Sequence, residues 1–259
     1  HAVAPVLTNR PGRTFEDSPT LAERLRHRLR RPRDEAGANA ALVAAAGHGC
    51  DLIWVENARI LAPQTLATAK RLAPEAPLVW YSEDDMMNPK LGSVWIDRSL
   101  PLFDLWVTTK SFNAASHEMP ARGVRRALFI DNSYDPAIHR RMELSTDERV
   151  KFGGDIAFIG TYEAPRAESL LSLARSGLAV RVWGNGWARL TGAEPNLRIE
   201  NRPVYDDDYA RTISATRINL AFLRKANRDL QTCRTVEIPA CGGFMLHERS
   251  PEAERLFAP

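Results

Sequence analysis

The residues best placed to do chemistry lie between Asn227 and Phe244, in the run Asn-Arg-Asp-Leu-Gln-Thr-Cys-Arg-Thr-Val-Glu-Ile-Pro-Ala-Cys-Gly-Gly-Phe. Thr232 is a residue type that opens a helix, and Gly242-Gly243 marks where that helix stops. A helix N-terminus offers unpaired N–H groups and a partial positive charge, so a diphosphate can sit there, with Arg234 in the first turn adding a two-pronged charged donor. Glu237 follows three residues later along the same face. A carboxylate in that place can accept both hydroxyls of a ribose, as an acidic residue does in dinucleotide-binding folds. Asp229 stands eight residues before it. The plainer reading is an amphipathic helix ending in Gly-Gly, with Glu237 a solvated charge.

A second acidic group, Glu83, Asp84 and Asp85, follows the apolar run Leu78–Tyr81 directly. Clustered carboxylates raise one another's pKa, which would suit one of them to act as a general base toward a hydroxyl. A divalent-metal site and a helix N-cap are the alternatives. Glu56 and Lys110, each just beyond a strand, are further candidates and equally readable as surface residues. The six histidines show no ligand spacing, so His139 and His247 read as loop and strand-end residues and no protein metal site is expected. No Ser/His/Asp grouping is recognisable.

These residues need strands to carry them. Short β-branched and aromatic runs alternate with helical patterns, which predicts an α/β fold with parallel sheets. Strands are expected at 52–55, 78–81, 105–108 and 127–130, with helices near 62–72 and 111–118. The pattern then restarts, with strands at 155–159, 179–183, 197–199, 218–222 and 244–246 and helices near 165–176, 206–215 and 232–241. Between the halves runs a polar stretch from Asn132 to Arg149 with a proline and turn formers. The expected domains are 1–145 and 146–259, two Rossmann-like units whose carboxyl strand ends face a shared cleft. Each half lacks units such a fold should have, so the chain reads as truncated at both ends.

Composition bounds the rest. Of 259 residues 44% are hydrophobic and 26% charged, which argues against disorder. No apolar run approaches the roughly 20 residues that cross a bilayer, and the first residues show no secretory pattern. Three irregularly spaced cysteines, Cys50, Cys233 and Cys241, suit neither a disulfide framework nor zinc and fit a cytoplasmic protein. The net charge of +3 argues against a dedicated nucleic-acid binder. Much of the positive charge lies at 20–33, where Arg24, Arg26, Arg28, Arg30, Arg31 and Arg33 surround Leu21, Leu25 and Leu29. That basic amphipathic helix offers a peripheral membrane contact, but a leucine stripe facing the core with arginines in solvent is the favoured expectation.

The acid, seven residues, Glu and small-residue run resembles the donor motif of retaining GT-B glycosyltransferases. Within them it resembles the CgeB-like (spore-maturation-protein-like) group, whose Arg-Thr-Phe-Glu-x-x-Ala-Cys-Gly-Gly-Phe-like string is nearly reproduced by Arg234–Phe244. Val236 in place of an aromatic and Pro239 inside the helix depart from it, and the proline predicts a kinked or shorter helix. Phe158-Ile-Gly-Thr-Tyr162 with Arg166, and Val182-Trp-Gly-Asn-Gly-Trp187, resemble the group's first two strand–loop units. The resemblance implies a GT-B hexosyltransferase that needs no metal or cofactor beyond its nucleotide-sugar donor, with an unidentified acceptor. It implies that Gly160, Thr161 and Tyr162 line the phosphate or sugar, and that Gly184, Asn185 and Trp187 contact the base. Thr232 and Arg234 would meet the diphosphate, Glu237 the ribose and Asp229 the sugar. Glu83, Asp84 and Asp85 would stand at the catalytic centre with Arg234. A catalytically silent nucleotide- or glycan-binding protein of surface-layer assembly and a nucleotide-sugar epimerase are the rivals.

Overall fold

A computed structural model describes residues 2–10, 12, 17 and 19–257. The chain divides into two compact units, His1–Ile130 and Asp131–Pro259. The expected boundary at 145 falls inside the second unit, because the preceding segment is bonded to it: Asn132 N–H donates to Gln231 at 3.0 Å, Met142 N–H to Ser214 at 3.1 Å, and Arg140 pairs with Asp207 at 2.8 Å.

The first unit runs α1 (Leu21–Arg28), α2 (Ala38–Gly47), β1 (Ile53–Glu56), α3 (Pro63–Leu72), β2 (Leu78–Ser82), α4 (Val94–Ser99), β3 (Leu105–Thr108) and β4 (Ala127–Phe129). Its four strands lie in the order β1-β2-β3-β4, all parallel. Trp80 and Trp106, neighbours across β2 and β3, stack at 4.8 Å with Phe103 edge-on to both. Leu66 of α3 and Ile96 of α4 close over the same core. The helix expected at 111–118 is replaced by two single 3-10 turns, Ser111–Ala114 and Pro120–Arg122. Buried Asn113 interrupts it, its amide bonding Met86 N–H and the Asp85 and Glu118 carboxylates.

The expected leucine stripe does not face the core. Leu21, Leu25 and Leu29 are 82%, 58% and 59% exposed, and α1 buries no residue. The segment is held at its C-terminal end instead, by Val94 N–H on the Arg30 carbonyl (2.9 Å), the Trp95 indole N–H on the Pro32 carbonyl (3.1 Å) and an Arg30–Asp97 pair (2.7 Å). Among the described residues no helix is long and apolar enough to cross a membrane.

The second unit runs α5 (Thr146–Phe152), β5 (Gly154–Ile159), α6 (Ala164–Arg175), β6 (Val180–Trp183), β7 (Leu197–Ile199), α7 (Asp206–Ala215), β8 (Thr216–Ala221), α8 (Cys233–Ala240), β9 (Met245–His247) and α9 (Pro251–Leu256). Its parallel sheet has the order β7-β6-β5-β8-β9. Alternate strand residues serve opposite faces: Phe158, Val182 and Leu220 pack with α6, while Ile159, Trp183 and Ala221 pack with α7 and α8. The sheet winds one way to β7 and the other to β9, so β5 and β8 flank the point where the order reverses. Open α/β sheets bind ligands outside the carboxyl ends of the strands at such a point.

Helix α8 ends in a Schellman motif. Gly243 N–H donates to the Ile238 carbonyl at 3.0 Å and Gly242 N–H to that of Pro239 at 2.9 Å, with Gly242 left-handed at φ 71°. At Gly243 an added Cβ would stand 2.5 Å from Ile213 Cγ2 and 2.9 Å from Asn219 Nδ2. Gly243→Ala should therefore destabilise the protein by about 1–3 kcal/mol through overpacking, read as a lower urea midpoint with an unchanged slope.

Candidate functional site

The N-terminal turn of α8 is fastened to the end of β5. Arg234 lies in that turn, and its Nε donates to the carbonyl of Ile159, the last residue of β5. The guanidinium then lies against Gly160, where a Cβ would stand 3.5 Å from Nη2 and 2.7 Å from the Phe158 ring. A helix start, a strand end and an arginine are thus joined at the β5/β8 reversal, as a phosphate site requires. Among the described residues Arg234 has no ion-pair partner.

Two more guanidinium groups belong to this corner. Arg224, just beyond β8, places Nε 3.0 Å from Glu163 Oε1, and Arg166 of α6 places Nη1 3.6 Å from the same oxygen. Burial lowers the Arg166 pKa from its ordinary value; Glu163 opposes that, and the like charges of Arg234 and Arg224 add to it. The Arg166 Nε–H is buried without a hydrogen-bond partner, as is the Thr232 hydroxyl beside α8. Two carboxylates, Glu163 and the buried Asp229, oppose three guanidinium groups, which leaves the corner positive. Arg224 was invisible to sequence reasoning, because only the sheet order brings the residues after β8 beside those after β5.

Glu237 is not a solvated charge. Tyr209 of α7 donates its hydroxyl to Oε2 at 2.6 Å, and His139 Nε2 lies 3.5 Å from Oε1. His139 Nδ1 accepts from Asp135 N–H at 3.0 Å, so its proton sits on Nε2, facing Glu237. The His139 and Tyr209 rings meet edge to face at 5.6 Å. Burial first, then the Glu237 charge, raises the Tyr209 hydroxyl pKa well above its usual value, so it stays a donor; Arg234 opposes this. His139, read as a loop residue, and Tyr209 are, with Arg224, the site residues that sequence reasoning missed. For Tyr209 the only signal was its place on the buried stripe of α7.

Several other expectations change. Trp187, expected to contact a base, is fully buried and donates its indole N–H to the Gly160 carbonyl at 2.7 Å. It anchors the loop. The backbones meet closely there, since a Cβ on Gly184 (φ 132°) would fall 2.2 Å from the Gly160 carbonyl oxygen. Tyr162 N–H bonds the Asn185 carbonyl at 2.9 Å and its ring packs edge-on against Trp187, while Thr161 is exposed. Asp229, expected to reach a sugar, is buried and folds its own loop, accepting from Arg224 N–H at 3.2 Å and Asn227 Nδ2 at 2.8 Å. The Thr232 N–H donates to Thr235 Oγ1 at 2.9 Å.

In the first unit Asp85 is buried and receives the Asn113 amide at 2.9 Å and Met87 N–H at 3.0 Å, so it organises the loop and is not a solvent-facing base. Glu83 is exposed and accepts from the Tyr81 hydroxyl at 3.0 Å. Asp84 is half-buried, with Asn57 Nδ2 at 3.4 Å. Among the described residues no group of three or more His, Cys, Asp or Glu side chains is arranged to hold a metal ion.

Residues 166–259 match the Glycosyl transferase-like family. No curated protein matches the chain in sequence. Among solved structures the chain is similar to sucrose-phosphate synthase from Thermosynechococcus elongatus, with a TM-score of 0.53, 12% identity, and 85% of this chain and 62% of that one covered. It also aligns with an alpha-glucosyltransferase solved in complex with UDP and a 13-mer DNA containing a central A:G mismatch, at TM-score 0.49, 13% identity, and 81% and 62% coverage. The chain therefore spans under two thirds of the length of these proteins.

Two measurements check this corner. Tyr209→Phe should cost about 1.5–3 kcal/mol, the usual loss when a charged acceptor is deprived of one donor, and urea unfolding reads it. Burial, with Glu237 adding, raises the Cys241 thiol to about 11, so iodoacetamide at pH 8 should label exposed Cys50 while Cys241 stays unmodified by peptide mass analysis. The match to the Glycosyl transferase-like family over residues 166–259 thus falls in a chain whose two parallel-sheet units have the GT-B fold.

Proposed function

We propose that this chain is a glycosyltransferase that moves a hexosyl group from a nucleotide-diphosphate-sugar held by the second unit to an acceptor. The observation that carries this reading is the convergence of Arg166, Arg224 and Arg234 at the β5/β8 reversal, Arg166 and Arg224 on Glu163 and Arg234 against Gly160, with all three arginines inside the matched region. As the glycosidic bond breaks, negative charge grows on the departing diphosphate. Preorganised guanidinium groups and helix N–H groups stabilise it there without reorganising. In this reading the arginines take the place of a divalent cation, and the donor is the one small molecule required. Thr232 contributes its buried hydroxyl to the phosphates. Glu237 accepts the ribose hydroxyls on the lone pairs that Tyr209 and His139 leave open. Gly160, Thr161 and Tyr162 border the sugar and Gly184 and Asn185 the base, while Asp84 or Glu83 is the first unit's base toward an acceptor hydroxyl. The Arg234–Phe244 string supports placing the chain near the CgeB-like group.

Titration calorimetry with UDP, GDP and dTDP tests the donor site. One nucleotide should bind saturably, roughly 10- to 100-fold more weakly in Arg234→Ala, the range for losing a charge-assisted hydrogen bond, and more weakly in Glu237→Gln. A folded protein that binds none of the three sinks the reading. Binding with no hydrolysis or transfer of any matching nucleotide-sugar would make the chain a silent binding protein.

A further inference from the structure

We propose that the first unit holds a second ligand site, a cavity selective for anions, and that its occupant is an acceptor bearing at least two phosphate or carboxylate groups. The anion selectivity stands by itself; that the anion is the acceptor rests on the glycosyltransferase reading. The cavity has a volume of about 780 Å³, the size that encloses a small ligand such as a disaccharide. It lies between the end of α1 and the turn that leaves β1. Arg10, Arg24, Arg26, Arg30, Arg33 and Arg59 line it, together with His27.

The opposing charge is too small to neutralise these groups. Among the described residues three carboxylates, Asp17, Glu23 and Glu35, share the lining, so six arginines leave a formal charge of +3 with His27 neutral. Glu35 pairs with Arg26 at 3.2 Å, and Glu23 is engaged by the Thr20 N–H at 2.5 Å. Arg30 pairs with Asp97 at 2.7 Å, but the other oxygen of Asp97 already serves Arg122 at 2.7 Å, so one carboxylate is divided between two cations.

The walls are fixed by specific bonds. Asn57 takes a left-handed conformation (φ 45°) to turn the chain out of β1, and the Arg59 carbonyl then accepts from the Ser93 hydroxyl at 2.7 Å. Opposite, the carbonyls of Arg30 and Pro32 are held by Val94 and Trp95. Two polar atoms of the lining are buried without partners, the donor Arg30 Nε and the acceptor Asn57 Oδ1. An unmade hydrogen bond of that kind costs about 1–3 kcal/mol, and an acidic glycan satisfies both, its anionic group accepting from Arg30 and a hydroxyl donating to Asn57. The same Asn57 amide donates to Asp84 at 3.4 Å, so the residue that would orient the acceptor hydroxyl also touches the proposed base.

The test is calorimetry on the full chain with digalacturonate, glucose 1,6-bisphosphate and the uncharged disaccharide galactobiose, repeated in Arg33→Gln and Arg59→Gln, with the nucleoside diphosphate of the second unit titrated into each as a control for folding. At least one of the two anions should bind and galactobiose should not. Each substitution should weaken the anion about fivefold or more, through a lost guanidinium contact, with nucleotide affinity unchanged and anion affinity falling as salt rises. Equal binding of charged and uncharged probes, or no effect of either substitution in a protein that still binds nucleotide, overturns the proposal and leaves the donor reading intact. Anion binding without any nucleotide binding overturns the donor reading instead. Capture by phosphatidylglycerol vesicles, and not by phosphatidylcholine, with no binding of the soluble anions would give α1 to a lipid surface and overturn the acceptor assignment.

Discussion

The hydrogen bond from Arg234 Nε to the Ile159 carbonyl fixes the geometry on which the rest of the second unit's site depends. It joins the first turn of one helix to the last residue of the central strand. Ile159 would otherwise present a carbonyl oxygen toward the positive end of α8, and the guanidinium reaches back to use it. With Nε committed, the planar group has one orientation beside Gly160. The helix N–H groups and the arginine then address the same volume. A lysine could not do both, because its ammonium lacks the fork that bonds backward and presents charge forward at once.

That arrangement is not what stability alone would select. Three guanidinium groups converge where Glu163 is the shared counter-charge, Arg166 loses hydration by burial, and its Nε lacks a partner. Proteins tolerate such sites where a ligand supplies the missing charge. Surrounding packing holds the cluster in place. Trp187 bonds the Gly160 carbonyl, Gly184 lets two backbones touch, and the Schellman turn at Gly242-Gly243 seats α8 against Ile213 and Asn219. The same economy explains Glu237, whose two partners come from elements distant in sequence and hold the carboxylate in one rotamer.

The strands were legible because each is a short apolar run between turn residues, and Leu105–Thr108 and Leu197–Ile199 fall where the pattern puts them. So was α8, whose ends carry explicit signals; Pro239 sits in its last turn, where it removes one hydrogen bond and the helix still reaches Ala240. Helix α5 had a readable signal that the polar composition of its segment hid: Ser145 and Glu148 form a capping box. Helix α2 had none, since a run of alanines lacks the polar face that periodicity needs. Charge and type could place Glu237 and Arg234 but not their surroundings. Trp187 and Asp229 look like ligand contacts in one dimension and turn inward in three, Trp187 satisfying the Gly160 carbonyl of the neighbouring loop and Asp229 the Arg224 N–H of its own.

The leucines of α1 show the limit most sharply. A spacing of four predicts one apolar face, and the face exists; what spacing cannot say is what covers it. Burial depends on whether a helix is held by its side or by its end. Here Arg30 and Pro32 tie the C-terminal end to α4 through main-chain carbonyls, bonds that leave no trace in side-chain pattern. With the end fixed, Arg24, Arg26 and Arg30 border the cavity beside β1 and the leucines are left outside. Part of the basic face of α1 therefore borders the cavity, while its leucines stay exposed, so the apolar face of this surface helix is not the one that packs.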